Sequence, residues 1–218
     1  HMLIDAATQR NLELTRRLSG EKSGSLLATV DFTLTSPGAR LLARWVTAPL
    51  TDPAAICARQ DGVEYLLNQQ SLRLELREQL RGCPDFERAL SRLAFGRGGP
   101  RDLLSVKAGL ISARAIGAKL ELQDRSLMPA TLHAQHAHLR GFDMLVDALS
   151  SALKDECGIF ARDGNFIRDG FNAVLDEFRA LRDEGKRRIA ALQERYARET
   201  DIGSLKIRFN NVLGYYIE

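Results

Sequence analysis

Residues 171–200 read FNAVLDEFRALRDEGKRRIAALQERYARET, and their spacing decides the fold class. Phe171, Val174, Leu175, Phe178, Leu181, Ile189, Leu192 and Tyr196 fall on one stripe of an α-helix over about seven turns. No proline interrupts the run. At 1.5 Å of rise per residue the helix is a rod of roughly 40 Å. Three pairs of opposite charge at i and i+4 add support on its wet side: Asp183 with Arg187, Glu184 with Arg188 and Glu194 with Arg198. The period changes at Asp201. Leu205, Ile207 and Phe209 alternate with Lys206, Arg208 and Asn210, Asn210-Asn211 is turn-prone, and 212–217 is rich in strand formers. The chain is expected to stop inside a small sheet.

Upstream of the rod, the polar stretch from Asp155 to Gly170 reads as a loop or short hairpin. Residues 129–154 carry a helical stripe of Leu139, Phe142, Leu145, Val146 and Leu149, with Gly141 as a weak point in any unbroken helix. Gly82-Cys83-Pro84 and Gly96-Arg97-Gly98-Gly99-Pro100 are breakers between further short helices. Ile56, Val63, Leu66 and Leu67 give another stripe. At Ser36-Pro37-Gly38, Ser at the cap and Pro at the first helical position open a helix that places Leu41, Leu42, Trp45 and Val46 on one face. Pro49 and Pro53 end that helix and start the next. The expectation is an all-α fold: a multihelical core, a long C-terminal helix and the start of a small β element. Its divisions are 3–170, 171–200 and 201–218. His1-Met2 resembles the remnant of a cleaved tag.

With 218 residues, 44% hydrophobic and 27% charged, the chain can bury a sizeable core. No apolar run reaches the roughly 20 residues of a bilayer crossing, no signal peptide is visible, and a cytoplasmic location is expected. Cys57, Cys83 and Cys157 are odd in number and widely spaced, which predicts reduced, mostly buried thiols rather than a disulfide framework or a metal pair. A net charge of +3 permits nucleic-acid contact without demanding it.

Motifs with chemical potential are few. Gly20-Glu21-Lys22-Ser23 imitates the tail of a phosphate loop, but Glu21 and Arg16 stand where that motif needs glycines. Among His133, His136 and His138 a helix turns the third partly away, and no Cys or acidic residue joins them. Asp163-Gly164-Asn165 begins like a calcium loop, yet Ile167 and Arg168 occupy ligand and glycine positions. Arg40 and Arg44, one turn apart, could clamp a phosphate, and one of Tyr215 and Tyr216 could stack on a base. No nucleophile, acid–base pair, cofactor site or metal site emerges, so this chain is not expected to be an enzyme.

Several separated motifs, in order, resemble the core-domain family of bacterial MutS mismatch repair proteins. Asp5-Ala6-Ala7-Thr8 with Asn11-Leu12-Glu13-Leu14 is similar to the start of that domain. Thr35-Ser36-Pro37-Gly38-Ala39-Arg40-Leu41-Leu42 with Trp45, Pro49-Leu50 and Arg59 resembles its Thr-x-x-Gly-x-Arg-Leu-Leu…Trp…Pro-Leu…Arg pattern. Pro84-Asp85-Phe86-Glu87-Arg88 resembles its Pro-Asp-Leu-Glu-Arg element. Ile167-Arg168-Asp169-Gly170-Phe171 with Leu175-Asp176 is similar to the start of its first lever helix, and 205–217 to the first strands of its clamp. Asn172 departs from the charged residue common there.

The resemblance implies a piece of a longer protein. Its other parts would be a mismatch-reading domain with a Phe-x-Glu wedge, a connector, and an ATPase that uses ATP and Mg. Duplex DNA, a second MutS copy and a MutL-type protein are the implied partners. Lys206 and Arg208, on the first clamp strand, are the candidate nucleic-acid contacts. Leu41, Leu42, Trp45, Phe171, Leu175 and Phe178 are the candidate structural core. The alternative is a helical DNA-binding or protein-interaction module with no repair role, using Arg40, Arg44 and the basic side of the last helix.

Overall fold

A computed structural model describes residues 1–218. The chain forms two compact units, His1–Ile167 and Arg168–Glu218. In the first, α1 (Ala6–Asn11), α2 (Leu26–Val30), α3 (Ser36–Thr47), α4 (Pro53–Asn68), α5 (Gln70–Arg81), α6 (Phe86–Ala94), α7 (Pro100–Glu121), α8 (Ala130–Ala137) and α9 (Asp143–Ala152) follow in order. None is long and apolar enough to cross a membrane.

The breaker 96–100 opens no short helix. It opens α7, whose 22 residues make it the longest helix of the unit. Its buried positions Val106, Gly109, Leu110, Gly117 and Leu120 share one arc of the helix, but two of them are glycines, and Leu104, Ala108 and Ile111 lie off that arc, so the apolar side chains give no single stripe. A helix enclosed on several sides loses the one-faced pattern that reveals surface helices. Two clusters share it. Ala89, Val106, Leu110 and Val146 are sealed by Phe86, Leu93, Phe142 and Leu149, joining α6, α7 and α9. Leu72, Leu120 and Met128 are sealed by Tyr65, Leu66, Leu76, Ile116, Leu132 and Leu139, joining α4, α5, α7 and α8. Each fully buried Leu or Val contributes on the order of 1.5–3 kcal/mol, so α7 is the axle of this unit.

Local chemistry sets the ends. Thr35, not Ser36, is the N-cap of α3: its Oγ1 accepts the Gly38 N–H at 3.1 Å, and Pro37 follows inside the first turn. Asp52 caps α4. Arg73 closes the far end of α4 by donating to the carbonyls of Leu66 and Leu67, both at 2.8 Å. On α4 itself, Leu66 is half-buried while Val63 and Leu67 are exposed, because Gly62 and Tyr65 carry the contact face toward Thr131 and Leu72. The stripe 139–149 is no single helix: α8 ends at Ala137, Leu139 lies in the link, and Gly141 turns the chain at a φ of 86° before α9 begins. Asp155 to Gly170 begins as a closed loop: Leu153 bridges Ile167, Lys154 N–H donates to the Phe166 carbonyl, and Leu153 is among the most buried side chains. Met2 takes part in the fold through its N–H, which donates to the Pro49 carbonyl at 2.8 Å.

Several expected interior groups lie at the surface. Cys57 is exposed, and Cys83 and Cys157 are half-buried, so none of the three thiols is core. Partial burial pushes the Cys83 thiol up. Leu41 and Leu42 are half-buried and Trp45 is 38% exposed. The reason is that α3 packs chiefly on the five-residue α2, and the Arg59 guanidinium lies over the Trp45 ring, 3.7 Å from its centroid.

In the second unit, α10 (Ala173–Thr200) has 28 residues, a length of about 42 Å. Asn172 caps it by accepting the Leu175 N–H, and the Asp176 carboxylate takes both the Gly170 N–H and the Arg179 guanidinium. Glu184–Arg188 and Glu194–Arg198 form as spaced. Asp183 turns instead to its neighbour Arg182, which holds its carboxyl below the usual carboxylate range. The helix ends at Asp201, at φ 55°, a left-handed conformation that Asp and Asn adopt more readily than other non-glycine residues. The stripe is covered mainly over its second half. Ile189, Leu192 and Tyr196 are half-buried, as is Leu175 near the start, whereas Phe171 is 50% and Phe178 64% exposed. Those two aromatic residues are therefore not core in this chain.

β1 (Ile207–Asn210) and β2 (Gly214–Ile217) pair antiparallel, with Ile207 opposite Ile217 and Phe209 opposite Tyr215. Asn210 Oδ1 accepts the N–H groups of Val212 and Leu213, and Gly214 sits at φ 72°, so a three-residue turn closes the hairpin. Leu205 is buried, and the Gln193 side chain accepts the Ile207 N–H at 2.9 Å, fastening the hairpin to α10.

Candidate nucleic-acid interface

Alternation gives the hairpin two chemically distinct faces. Lys206, Arg208 and Tyr216 lie on one, with Arg208 directly opposite Tyr216. Phe209 and Tyr215 lie on the other, their rings 5.1 Å apart and tilted by 60°. Both lysine and arginine are exposed. Arg208 is ion-paired with Glu218, the residue whose backbone exchanges both hydrogen bonds with Lys206. Tyr215, 64% exposed, is the tyrosine left open, and its ring pairs with Phe209. Glu218 is a partner that the sequence reading missed, and although the alternation named Phe209, only the register shows that it meets Tyr215.

The phosphate clamp proposed for Arg40 and Arg44 is not formed. Arg40 is committed within the protein: Nη1 donates to Asp85 Oδ2 at 2.7 Å, and Nη2 to Asp85 Oδ1 at 2.9 Å and Glu87 Oε2 at 2.6 Å. These acceptors hold the Arg40 guanidinium above its ordinary value and the Asp85 carboxyl below its own. Arg44 remains exposed.

His136 is buried, with Nε2 3.1 Å from Glu121 and 3.0 Å from Arg140, while His133 Nε2 meets the Arg125 carbonyl at 2.8 Å. The histidines thus point to separate partners. In 163–165, Gly164 and Asn165 adopt φ of 66° and 60°, and Asn165 Oδ1 accepts from Lys154 Nζ, which makes the segment a turn. Gly20 to Ser23 lies in a bend-and-turn segment with no strand before it, so it does not fit a phosphate-binding loop.

The separated sequence motifs meet as one set of contacts. Thr35 caps α3 at Gly38, where a Cβ would stand 2.9 Å from Thr35 Oγ1; Arg40 grips Asp85 and Glu87; Trp45 stacks under Arg59. A family model for MutS domain III matches residues 7–202. The chain belongs to the MutS domain III family. It is 50% identical over 217 residues to the DNA mismatch repair protein MutS of Paracoccus denitrificans, and 49% identical over 218 residues to that of Rhodopseudomonas palustris. In both alignments 100% of this chain is covered but 24% of the relative. This MutS domain III chain thus spans about a quarter of the length of those relatives.

Proposed function

We propose that this chain is the mechanical core and lever of a MutS-type DNA mismatch repair protein. In this reading it couples an ATP-using part elsewhere in the parent to the grip on duplex DNA, and itself performs no catalysis. The observation that carries the reading is the junction of α10 with the hairpin. A 28-residue helix without proline ends in a left-handed cap and is tied by Gln193 to strands that carry Lys206 and Arg208. A continuous helix transmits displacement along its axis, while the hairpin presents cations suited to phosphate oxygens. ATP with Mg, a second MutS copy and a MutL-type protein belong to the parent in this reading. Its likeness to proteins named for mismatch repair favours it over a free-standing helical binding module, and the commitment of Arg40 to Asp85 removes one of that module's contacts.

Two measurements test it. The isolated chain is expected to turn over no ATP and to bind matched and G·T-mismatched duplex alike. In the full-length parent, a non-hydrolysable ATP analogue is expected to change amide exchange in the segment corresponding to 205–217. Turnover by the isolated chain, or a hairpin indifferent to nucleotide, overturns the proposal.

A further inference from the structure

The corner between α6 and α7 carries a second, differently built surface. Past the end of α6 the chain turns at Gly96, at φ 66°, and the Arg97 N–H bonds back to the Arg92 carbonyl at 2.8 Å. Asp102 is consumed locally: it accepts from the Gly99 N–H at 3.0 Å and from the Arg92 guanidinium, which holds its carboxyl below the usual range. Gly99 is so close to the loop 155–166 that a Cβ there would stand 2.1 Å from the Ile159 carbonyl oxygen. This approach brings Ile159 and Phe160 up as an apolar wall. The result is a cleft of about 310 Å³ lined by Arg92, Arg97, Arg101, Asp102, Ile159 and Phe160.

Arg92 and Asp102 neutralise each other. Arg97 and Arg101 are exposed and their guanidiniums have no acidic partner. Two uncompensated forks therefore face a wall whose Ile159 and Phe160 are 55% and 52% exposed. A guanidinium fork matches a carboxylate in shape and charge, and a cleft of this size accepts an apolar side chain. Duplex DNA presents phosphates along a track and is met by cations in line. Here the cations converge on one concave, half-apolar site.

We propose that this corner binds an acidic peptide segment of a partner protein, with its carboxylates on Arg97 and Arg101 and an apolar side chain against Ile159 and Phe160. The proposal is independent of the lever.

The test uses the 218-residue chain and an array of fluorescein-labelled peptides of about ten residues, rich in Asp and Glu with two of Phe, Leu or Ile in varied spacing. Saturable, salt-sensitive binding of a subset is expected. Reversing both charges, Arg97→Glu with Arg101→Glu, is expected to weaken it at least about tenfold, and Phe160→Ser or replacement of the peptide's apolar residues by Ser also weakens it. Arg44→Glu, on an exposed arginine elsewhere, leaves it unchanged. None of the arginines changed has an internal ion pair, so circular dichroism is expected to show all variants folded. Absence of saturable binding, indifference to the double charge reversal, or displacement of the peptide by duplex DNA in a manner that depends on Arg97 and Arg101 overturns the proposal.

Discussion

Arg40 and Asp85 stand forty-five positions apart, each inside a different short motif, and the two side chains are bonded face to face through both nitrogens and both oxygens. Asp85 is also the N-cap of α6, accepting the Arg88 N–H at 3.4 Å. One carboxylate therefore starts a helix and fastens α3 to it. Its side chain is 22% exposed and that of Arg40 36%, so solvent screens the pair and the fork geometry matters more than the bare charge.

This double role separates two substitutions. Asp85→Ala removes cap and ion pair together, and loss of the cap alone costs about 1 kcal/mol. Asp85→Asn keeps a good capping oxygen and loses the charge. The expected order of thermal stability is wild type, then Asn, then Ala. Because the folded Asp85 carboxyl lies below its ordinary value, its contribution is complete above the unfolded pKa of about 3.9 and is lost as pH falls through the folded value. Melting curves between pH 6 and pH 3, set for instance at half-unit steps, are expected to show wild type and Asp85→Asn converging below about pH 4. A gap that stays constant to pH 3 contradicts the assigned role.

Two glycines inside helices should respond oppositely to alanine. At Gly185 in α10 nothing lies within 4 Å of an added Cβ, so Gly185→Ala gains helix propensity and stabilises by roughly 0.5–1 kcal/mol. At Gly109 in α7 the Cβ would stand 2.3 Å from Phe86 Cδ1 and 3.0 Å from its Cβ. The atoms met are the base of a packed ring, which cannot swing aside, so overpacking of about 1–3 kcal/mol outweighs the propensity gain. Denaturant titration of both variants checks the signs. A stabilised Gly109→Ala shows that α6 and α7 are less closely packed than described.

The contrast between these helices also shows what the sequence discloses. α10 is wet along most of its length, so its stripe stands out against Arg and Glu and its extent was legible to within about two residues. α7 is wrapped by α5, α6, α8 and α9; its apolar residues point several ways, and no single period betrays it. The hairpin was legible from alternation and Asn210-Asn211, but not the pairing of Arg208 with Glu218, which depends on register. Trp45 read as core because it shares a face with Leu41 and Leu42; the sequence does not show that Arg59, on another helix, would cover it. The Arg40–Asp85 contact was invisible for the same reason. Each motif was quoted, but nothing in either names the other.

Lys206 and Arg208 are open to a direct test in the full-length parent. If this face of the hairpin meets the DNA backbone, reversing both charges removes two phosphate contacts and is expected to weaken duplex binding at low salt without regard to sequence. The slope of log affinity against log salt should fall by about two. Tyr215→Ser, on the opposite face, should leave the slope unchanged. Anisotropy titrations across a salt series decide it; a slope unaffected by the double reversal removes these residues from the interface.

The last prediction concerns stiffness. If α10 is a lever, its function rests on continuity rather than on any one side chain, and the mid-helix residue Ala190 is exposed, so a substitution there disturbs little packing. Ala190→Pro removes one backbone hydrogen bond, clashes with the carbonyl one turn earlier and costs about 3 kcal/mol locally, enough to kink or break the rod. The hairpin end would then move independently of the Asn172 end. Arg187→Ala, three residues earlier on the wet side, changes only an exposed charge and leaves the backbone continuous. In the full-length parent, Ala190→Pro is expected to keep basal ATP turnover while losing its modulation by mismatched duplex, and Arg187→Ala to behave like wild type. Circular dichroism and size-exclusion chromatography first establish that both are folded. Turnover is then measured with and without mismatched DNA. A proline variant whose turnover still responds fully to mismatched DNA shows that the signal does not travel along this helix.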